Sequence, residues 1–229
     1  MTESDLSTPV EERVESSHIL DLPAGPLAYT ATAGTVLVRD DEATPLASMF
    51  YLAYLAERAE GAPRRPITFL FNGGPGSASL WLNIGGFGPR RAPTSTPHAT
   101  PPAPYTVVDN PYTLLTESDL VFLDAPGTGY SRLLGDTKPE QIWGVDQDAD
   151  AFARAITRYL TITNNWNAPR FLFGESYGTT RAATLVHRLQ NQGLDFNGVV
   201  LLSTVLNWGE NHLGFEQEHI NLLPPLPAT

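Results

Sequence analysis

Short runs of apolar residues alternate along this chain with longer segments in which apolar residues recur every three or four positions. The runs at residues 67–71, 120–123, 171–173 and 199–202 have the length and composition of buried strands. The two helical patterns follow Pro139 and residue 178; the first places Ile142, Val145, Ala149, Phe152, Ile156 and Tyr159 on one stripe, and the second ends at Gly193. This alternation predicts an α/β fold with a mostly parallel central sheet and helices on both faces.

The N-terminal part of the chain has a different pattern. Residues 1–26 are predicted to be an acidic, flexible leader, and residues 27–229 a single domain. Residues 27–39 are rich in Thr, Val and Ala. Residues 45–57 are apolar and aromatic, which fits a strand or a short helix, and we favour a strand paired back on residues 27–39. The proline-rich stretch at 89–112 is predicted to be a surface excursion, because strand-like sequence resumes directly after it.

The composition and net charge of the chain exclude some classes of binding partner and indicate a cellular compartment. The chain has 229 residues, of which 41% are hydrophobic, and carries a net charge of −11. Such an acidic protein is not expected to bind nucleic acid or an anionic membrane surface. It has no cysteine, no apolar run long enough for a membrane span, and no signal-peptide pattern in residues 1–22. These features favour a cytoplasmic protein.

The candidate chemistry begins where the run at 171–173 meets the second helical pattern. The pentapeptide Gly174-Glu175-Ser176-Tyr177-Gly178 has the form G-x-S-x-G. A strand, a serine flanked by glycines and then a helix are the context of the nucleophile elbow in α/β-hydrolases. The turn leaves the hydroxyl exposed at the N-terminus of a helix, where developing negative charge is favoured. We therefore predict the α/β-hydrolase fold and a nucleophilic Ser176.

A second candidate site feature is the glycine-rich loop that follows the apolar run at residues 67–71. Residues 72–79, NGGPGSAS, contain three glycines and a proline within four consecutive positions. Such a loop has an irregular backbone with accessible N–H groups. Backbone donors without intervening side chains are what an oxyanion hole requires, although an ordinary Gly-Pro turn would have the same composition. Its combination with the elbow favours the oxyanion hole.

Three segments in this order resemble the serine carboxypeptidase family, peptidase family S10. They are FLFNGGPGSAS at 69–79, DLVFLDAPGTGYS at 119–131 and FLFGESYGTT at 171–180. The resemblance covers roughly residues 28–229. It implies a peptidase that releases C-terminal residues through an acyl-enzyme, without a metal or another cofactor. Its partner would be a peptide with a free C-terminal carboxylate.

The resemblance also implies a role for five residues. Ser176 would be the acylated nucleophile, and the backbone N–H groups of Gly74 and Tyr177 would form the oxyanion hole. Asn72 and the protonated carboxyl group of Glu175 would hold the carboxylate of the substrate.

Two positions depart from the family pattern. The family often has a cysteine where this chain has Ser77, and a tryptophan where it has Leu70. The first difference fits a bacterial-type member of the family that has no disulfides. The second difference means that the details of carboxylate recognition need not match those of the family.

A serine nucleophile needs a histidine base and an acid that orients it, and both follow the serine in α/β-hydrolases. Of the five histidines, His18 and His98 precede Ser176, and His187 lies about three turns along the following helix. His212 or His219, with Asp195 or Glu210, offers an internal alternative, but surface positions are favoured for these residues. We expect the fold to be truncated after the strand that follows the elbow, and the chain itself to be inactive.

Two other functions stay open. An esterase or acyltransferase would use the same fold and nucleophile, and would not depend on Asn72 and Glu175 for a free carboxylate. A non-catalytic, truncated homologue would lack an activated serine. The sequence does not indicate the oligomeric state.

Overall fold

The computed structural model describes residues 9–94 and 102–206. Their main sheet has eight strands in the spatial order β1-β2-β3-β7-β4-β9-β10, with β8 paired to β3, while β5 and β6 form a separate two-stranded ribbon. In chain order the strands are β1 (Arg13–Leu20), β2 (Leu27–Arg39), β3 (Pro45–Ala56), β4 (Ile67–Phe71), β5 (Arg90–Arg91), β6 (Val108–Asp109), β7 (Asp119–Leu123), β8 (Arg132–Leu133), β9 (Arg170–Glu175) and β10 (Gly198–Leu202).

The sheet is mixed, with a parallel and an antiparallel part. β4 pairs in parallel with β7 and with β9, and β10 pairs in parallel with β9. β1, β2 and β3 are antiparallel to their neighbours, and β3 joins the two parts by pairing antiparallel with β7. All five residues of β4 are buried, because this strand has a neighbour on each edge and a covered surface on each face. The predicted strands at 45–57, 67–71, 120–123 and 199–202 are confirmed.

The two long helices of the described residues coincide with the segments in which apolar residues recur every three or four positions. α1 (Leu80–Leu82) continues into a π-helical turn at Asn83–Phe87, α2 is Val145–Ile162, and α3 is Tyr177–Asn191. Short 3-10 helices occupy Leu114–Thr116 and Pro139–Gln141. Pro139 therefore opens a separate 3-10 turn, and α2 begins only at Val145. Across the described residues, no helix combines the length and apolarity that crossing a bilayer requires.

Alternate residues along the strands build two cores, one on each face of the sheet. Phe69 and Phe71 of β4 belong to the larger core, which contains most of the buried apolar residues of α2 and α3. Leu70 belongs to the smaller core, with Leu82 of α1 and Leu115 of the 3-10 helix. The two long helices thus pack on one face, while short helical segments cover the other. The central sheet and its helices confirm the predicted α/β-hydrolase architecture.

Strand β1 lies within the segment that the sequence assigns to a flexible leader. It pairs with β2 from Arg13 to Leu20, although seven of its eight side chains are exposed. Just before it, Glu11 forms an ion pair with Arg158 of α2, and the arginine lowers the pKa of this carboxyl group although partial burial opposes the shift. Backbone pairing holds this strand, which explains why its polar composition gave no signal. The domain boundary at residue 27 stays a prediction.

Candidate active site

Ser176 lies at the junction between β9 and α3. Its backbone has φ 56° and ψ −125°, a conformation that non-glycine residues rarely adopt and that costs about 1–3 kcal/mol. Ser176 itself is partly exposed, whereas Gly174, two residues before it, and Tyr177, directly after it, are buried. The strained turn therefore presents one side chain to the surface from within a packed junction, as the elbow predicted from G-x-S-x-G requires.

The two glycines of the motif are dictated by close backbone contacts. A Cβ atom on Gly174 would lie 2.1 Å from the carbonyl oxygen of Gly178, and one on Gly178 would lie 2.8 Å from that of Phe71. Real Cβ atoms do not approach backbone oxygens so closely. The first contact closes the turn around Ser176, and the second sets α3 directly against the end of β4.

The loop after β4 reaches the elbow because β4 and β9 are parallel neighbours, whose carboxyl ends meet at the same sheet edge. Gly73 packs on the elbow so closely that a Cβ atom there would lie 2.4 Å from the backbone nitrogen of Tyr177. The next residue, Gly74, has φ 110° and is exposed. Gly74 thus stands beside Ser176 in a conformation that favours glycine.

A cavity of about 550 Å³ opens over this junction. Its walls include the predicted site residues Asn72, Gly74, Glu175 and Ser176; the other lining residues are Ser77, Trp81, Leu82, Gly85, Gly86, Phe87 and Leu202. The structure therefore brings the candidate nucleophile, loop and carboxyl group into one space. Trp81 is 69% exposed at its wall and gives the cavity an aromatic surface that the sequence did not single out.

Asn72 and Glu175 form a hydrogen-bonded pair in this cavity. Asn72 Nδ2 donates to Glu175 Oε2 over 3.0 Å, and the backbone N–H of Gly73 donates to the same oxygen over 3.4 Å. Asn72 Oδ1 in turn accepts from the backbone N–H of Leu82 over 3.0 Å. The amide orientation is thereby fixed, with its NH2 group directed to the carboxyl group.

The other end of the loop is anchored to residues from the DAPGTGYS segment. Asp124 accepts a hydrogen bond from the backbone N–H of Ser79 over 2.8 Å and from that of Tyr130 over 3.3 Å. Burial raises the pKa of the Asp124 carboxyl group, although these two donors oppose the shift. Ser79 Oγ also donates to the carbonyl oxygen of Leu123. This segment supports the loop; the sequence showed the motif but not this role.

Arg181 of α3 is a supporting residue that sequence reasoning missed. Its side chain is 1% exposed, and it donates to Asp148 of α2 over 2.6 Å and 3.1 Å. A third hydrogen bond, 2.7 Å long, reaches the backbone carbonyl oxygen of Asn72. Its guanidinium group also packs on the rings of Phe71, Phe152 and Tyr177. Arg181 therefore ties the loop after β4 to both long helices.

The histidines of the described residues lie away from Ser176. His18 is on β1, where it stacks on Tyr29. His187 is on α3, eleven residues beyond Ser176, which corresponds to about 16 Å along a helix axis. His98, His212 and His219 lie outside the described residues, as does Glu210, so the internal triad stays untested. Within the described ranges, no group of three His, Asp or Glu side chains is placed to hold a metal ion.

The two departures from the family pattern have different positions. Leu70 is fully buried in the smaller core, on the face of β4 that packs with Leu82 of α1 and Phe173 of β9. Ser77 lines the cavity over the elbow. A tryptophan at position 70 would thus have to fit a packed core, whereas position 77 borders the site itself.

Comparison with known proteins gives consistent matches. A family model described as serine carboxypeptidase matches residues 24–211. Serine carboxypeptidase-like 26 of Arabidopsis thaliana is 23% identical over 208 residues, which are 87% of this chain and 43% of the plant protein. The structure of a prohormone-processing carboxypeptidase from Saccharomyces cerevisiae matches with a TM-score of 0.61 and 19% identity, covering 75% of this chain and 38% of the yeast chain. This chain spans less than half the length of either relative.

The predicted cytoplasmic location is wrong. The plant and yeast relatives are proteins of the secretory route or the vacuole, not of the cytoplasm. The prediction rested on the absence of cysteine, of a signal-peptide pattern in residues 1–22 and of an apolar run long enough for a membrane span. A domain of this size can bury enough apolar surface to fold without disulfides, so a lack of cysteine does not identify a reducing compartment.

Replacing Gly174 by alanine tests the closure of the elbow. The new Cβ atom would overlap the carbonyl oxygen of Gly178, so we expect a loss of about 1–3 kcal/mol in the free energy of unfolding, measured by urea denaturation. Gly76→Ala is the matched control in the neighbouring loop, because a Cβ atom there meets nothing within 4 Å. Equal stability of the two variants would contradict the packing described for the turn.

Replacing Arg181 by methionine tests the buried ion pair. The change leaves Asp148 without its cation and the Asn72 carbonyl without its donor, and we expect unfolding to cost about 3–5 kcal/mol less. Arg188→Met on the same helix removes a partly exposed ion pair with Asp150 and should cost less than about 1 kcal/mol. Adding Asp148→Asn to Arg181→Met should recover part of the loss. A loss below about 1 kcal/mol for Arg181→Met would contradict this account.

Proposed function

Because the chain belongs to the serine carboxypeptidase family, we propose that it carries the nucleophile and the carboxylate-binding half of a site that removes residues from the free C-terminus of peptides. Ser176 attacks the last peptide bond, the C-terminal amino acid leaves, and water then releases the acyl group from Ser176. The observation that carries this proposal is the Asn72–Glu175 pair beside the strained serine.

The backbone N–H groups of Gly74 and Tyr177 are the proposed oxyanion-hole donors. The Tyr177 N–H group is at the first residue of α3, where the helix dipole favours negative charge. Gly74 belongs to a loop that is held at Asn72 by Arg181 and at Ser79 by Asp124. Donors fixed before the reaction need no reorganisation when the carbonyl oxygen becomes negative, and one such donor contributes about 10²–10³ in rate.

Asn72 and Glu175 are proposed to bind the carboxylate of the substrate. The Asn72 amide can donate a hydrogen bond to a carboxylate oxygen without a change in charge. Two ionised carboxylates at hydrogen-bond distance repel each other, so Glu175 and the substrate must share one proton. This arrangement makes binding of a free C-terminus depend on the uptake of a proton, and it favours acidic pH.

The base that activates Ser176 has to come from outside the described residues. His18 and His187, the histidines within them, occupy β1 and the far part of α3. A serine without a hydrogen-bonded base is a weak nucleophile at neutral pH. We therefore expect residues 9–94 and 102–206 to supply binding and the nucleophile, while proton transfer depends on another part of the protein.

Peptide binding tests the carboxylate site without requiring turnover. Trp81 borders the cavity, so its fluorescence can follow titration with an N-acetyl dipeptide and with the same dipeptide as its C-terminal amide. We expect the free acid to bind at least about tenfold more tightly at acidic pH, which corresponds to about 1.4 kcal/mol. Its advantage should shrink as the pH rises, since the shared proton is lost.

Three variants identify the residues that are responsible for the preference for the free acid. Asn72→Ala should remove the advantage of the free acid, and Glu175→Gln should remove its pH dependence, because a glutamine donates a hydrogen bond without taking up a proton. Ser77→Ala, on the same cavity wall, should change neither. Equal affinity for acid and amide in the unmodified protein would contradict the carboxypeptidase proposal and favour the esterase or acyltransferase alternative.

A further inference from the structure

A cavity of about 350 Å³ lies at the edge of the sheet opposite to the candidate active site. It opens where β4 and β7 begin, since Arg65 and Asp119 line it, whereas the cavity over Ser176 lies where β4 and β9 end. Its volume is at the lower end of the range for pockets that bind small molecules.

Four arginines line this cavity although the protein is acidic. The chain has a net charge of −11 and 14 basic residues, so a cavity with four guanidinium groups and two carboxylates is a local exception. Arg13 comes from β1, Arg58 from the segment after β3, and Arg64 and Arg65 from the residues directly before β4. Because three separate parts of the chain contribute these cations, the positive charge is a product of the fold and not of one basic run.

Two of the arginines have a carboxylate partner on the same cavity wall. Arg65 Nε donates to Asp119 Oδ1 over 2.9 Å, and Arg13 Nε lies 3.7 Å from Glu15 Oε1. The same Asp119 oxygen also accepts from the backbone N–H of Ala56 over 3.1 Å. These two pairs balance their own charges, so the net charge of the cavity comes from the other two arginines.

Arg58 and Arg64 are held by neutral acceptors. One Nη of Arg64 donates to Asn165 Oδ1 over 3.0 Å, and one Nη of Arg58 donates to the carbonyl oxygen of Ala62. Within the described parts of the chain, neither arginine forms an ion pair. Each guanidinium group has five N–H donors, so both are oriented while most of their donors remain available to a ligand.

Two tyrosine hydroxyls add neutral donors to the wall. Tyr51 and Tyr159 are each 1% exposed and pack edge to face, with 5.0 Å between their ring centroids. Gly34 makes room for Tyr51, since a Cβ atom on Gly34 would lie 2.6 Å from the tyrosine hydroxyl oxygen. Burial raises the pKa of both tyrosines, so both hydroxyls keep their protons. Neither hydroxyl has a hydrogen-bond partner among the described residues, and buried hydroxyls normally have one.

We propose that this cavity binds a phosphate group, either as free phosphate or as the phosphomonoester of a small molecule. A phosphomonoester carries about −1.5 to −2 charges at neutral pH, which matches the two uncompensated guanidinium groups, whereas a carboxylate carries one charge. Its oxygens accept hydrogen bonds from Arg58 and Arg64, whose planar donor groups fit phosphate, and from the two tyrosine hydroxyls. This inference does not rest on the proposed peptidase function, because the two cavities share no residue.

Calorimetric titration with three anions tests the proposed site. Inorganic phosphate, phenyl phosphate and benzoate are titrated into the full chain at constant ionic strength, at a pH above the second phosphate pKa of about 6. We expect saturable binding of both phosphates and binding of benzoate that is at least about tenfold weaker, because benzoate has one charge and fewer acceptor oxygens. Tighter binding of phenyl phosphate than of free phosphate identifies a phosphomonoester as the ligand, and the reverse order identifies free phosphate.

Four variants locate the bound phosphate. The double variant Arg58→Gln, Arg64→Gln should weaken phosphate binding at least about tenfold, because it removes both uncompensated charges. Arg132→Gln is the matched control, since this exposed arginine also donates to backbone carbonyl oxygens, and it should leave the affinity unchanged. Tyr51→Phe should weaken binding by a smaller factor. Asn72→Ala, in the cavity over Ser176, should have no effect on phosphate binding.

Three results would overturn this assignment. Absence of saturable phosphate binding contradicts it directly, and equal affinity for phosphate and benzoate would show general attraction of anions and not a phosphate site. An affinity that survives the double variant and Tyr51→Phe, or that is lost in Asn72→Ala, would place the phosphate elsewhere. Urea denaturation checks that the variants remain folded, which we expect because Arg58 and Arg64 are exposed and Tyr51→Phe removes only a hydroxyl group.

Discussion

The buried guanidinium group of Arg181 joins the three segments on which the site depends. It links α3 to Asp148 on α2 and holds the backbone of the loop after β4 through the carbonyl oxygen of Asn72. Removing a cation and a carboxylate from water costs several kcal/mol for each ion, and only good geometry with further hydrogen bonds offsets that cost. Two bonds to Asp148, one to Asn72 and the contacts with Phe71, Phe152 and Tyr177 supply that geometry.

This arrangement fixes the positions of the candidate site residues. The carbonyl of Asn72 is fixed by Arg181 and its side chain by Leu82, so its amide is aimed at Glu175 before any ligand binds. On the other side of the cavity, the contact between Gly174 and Gly178 keeps Ser176 in its strained conformation. In a site assembled in this way, the free-energy cost of the geometry is met when the chain folds. The proposed reaction then needs no further reorganisation of these groups.

Much of the parallel sheet and the grouping of most candidate site residues could be predicted, because their signals are local. β4 and β9 each contain a short apolar run, and each strand is followed directly by candidate site residues, Asn72 and Gly74 in one case and Ser176 in the other. Parallel pairing of the two strands then brings these residues together. Ser176 is the candidate nucleophile because glycines flank it, and the sequence alone already implies the steric reason for those glycines.

The parts that sequence reasoning missed depend on contacts between distant segments. Arg181 and Asp148 stand 33 positions apart on two amphipathic helices, where charged residues ordinarily face solvent. Strand β1 is held by backbone pairing, and its exposed polar side chains resemble those of a loop. Trp143 follows a 3-10 turn in no recognisable motif, and only the fold sets it across a cavity from Tyr177. Compartment cannot be inferred from cysteine content, since disulfides are one means of stability among several.

The assignment of Ser176 as the nucleophile is tested most directly by identifying which residue an organophosphonate modifies in the protein isolated from its natural source. Peptide mapping by mass spectrometry would locate the adduct, and labelling requires a serine that a base activates. We expect a single adduct on Ser176, none on Ser77 of the same cavity, and none after Ser176→Ala. An unmodified Ser176, or an adduct on another serine, would contradict the assignment of Ser176 as the nucleophile.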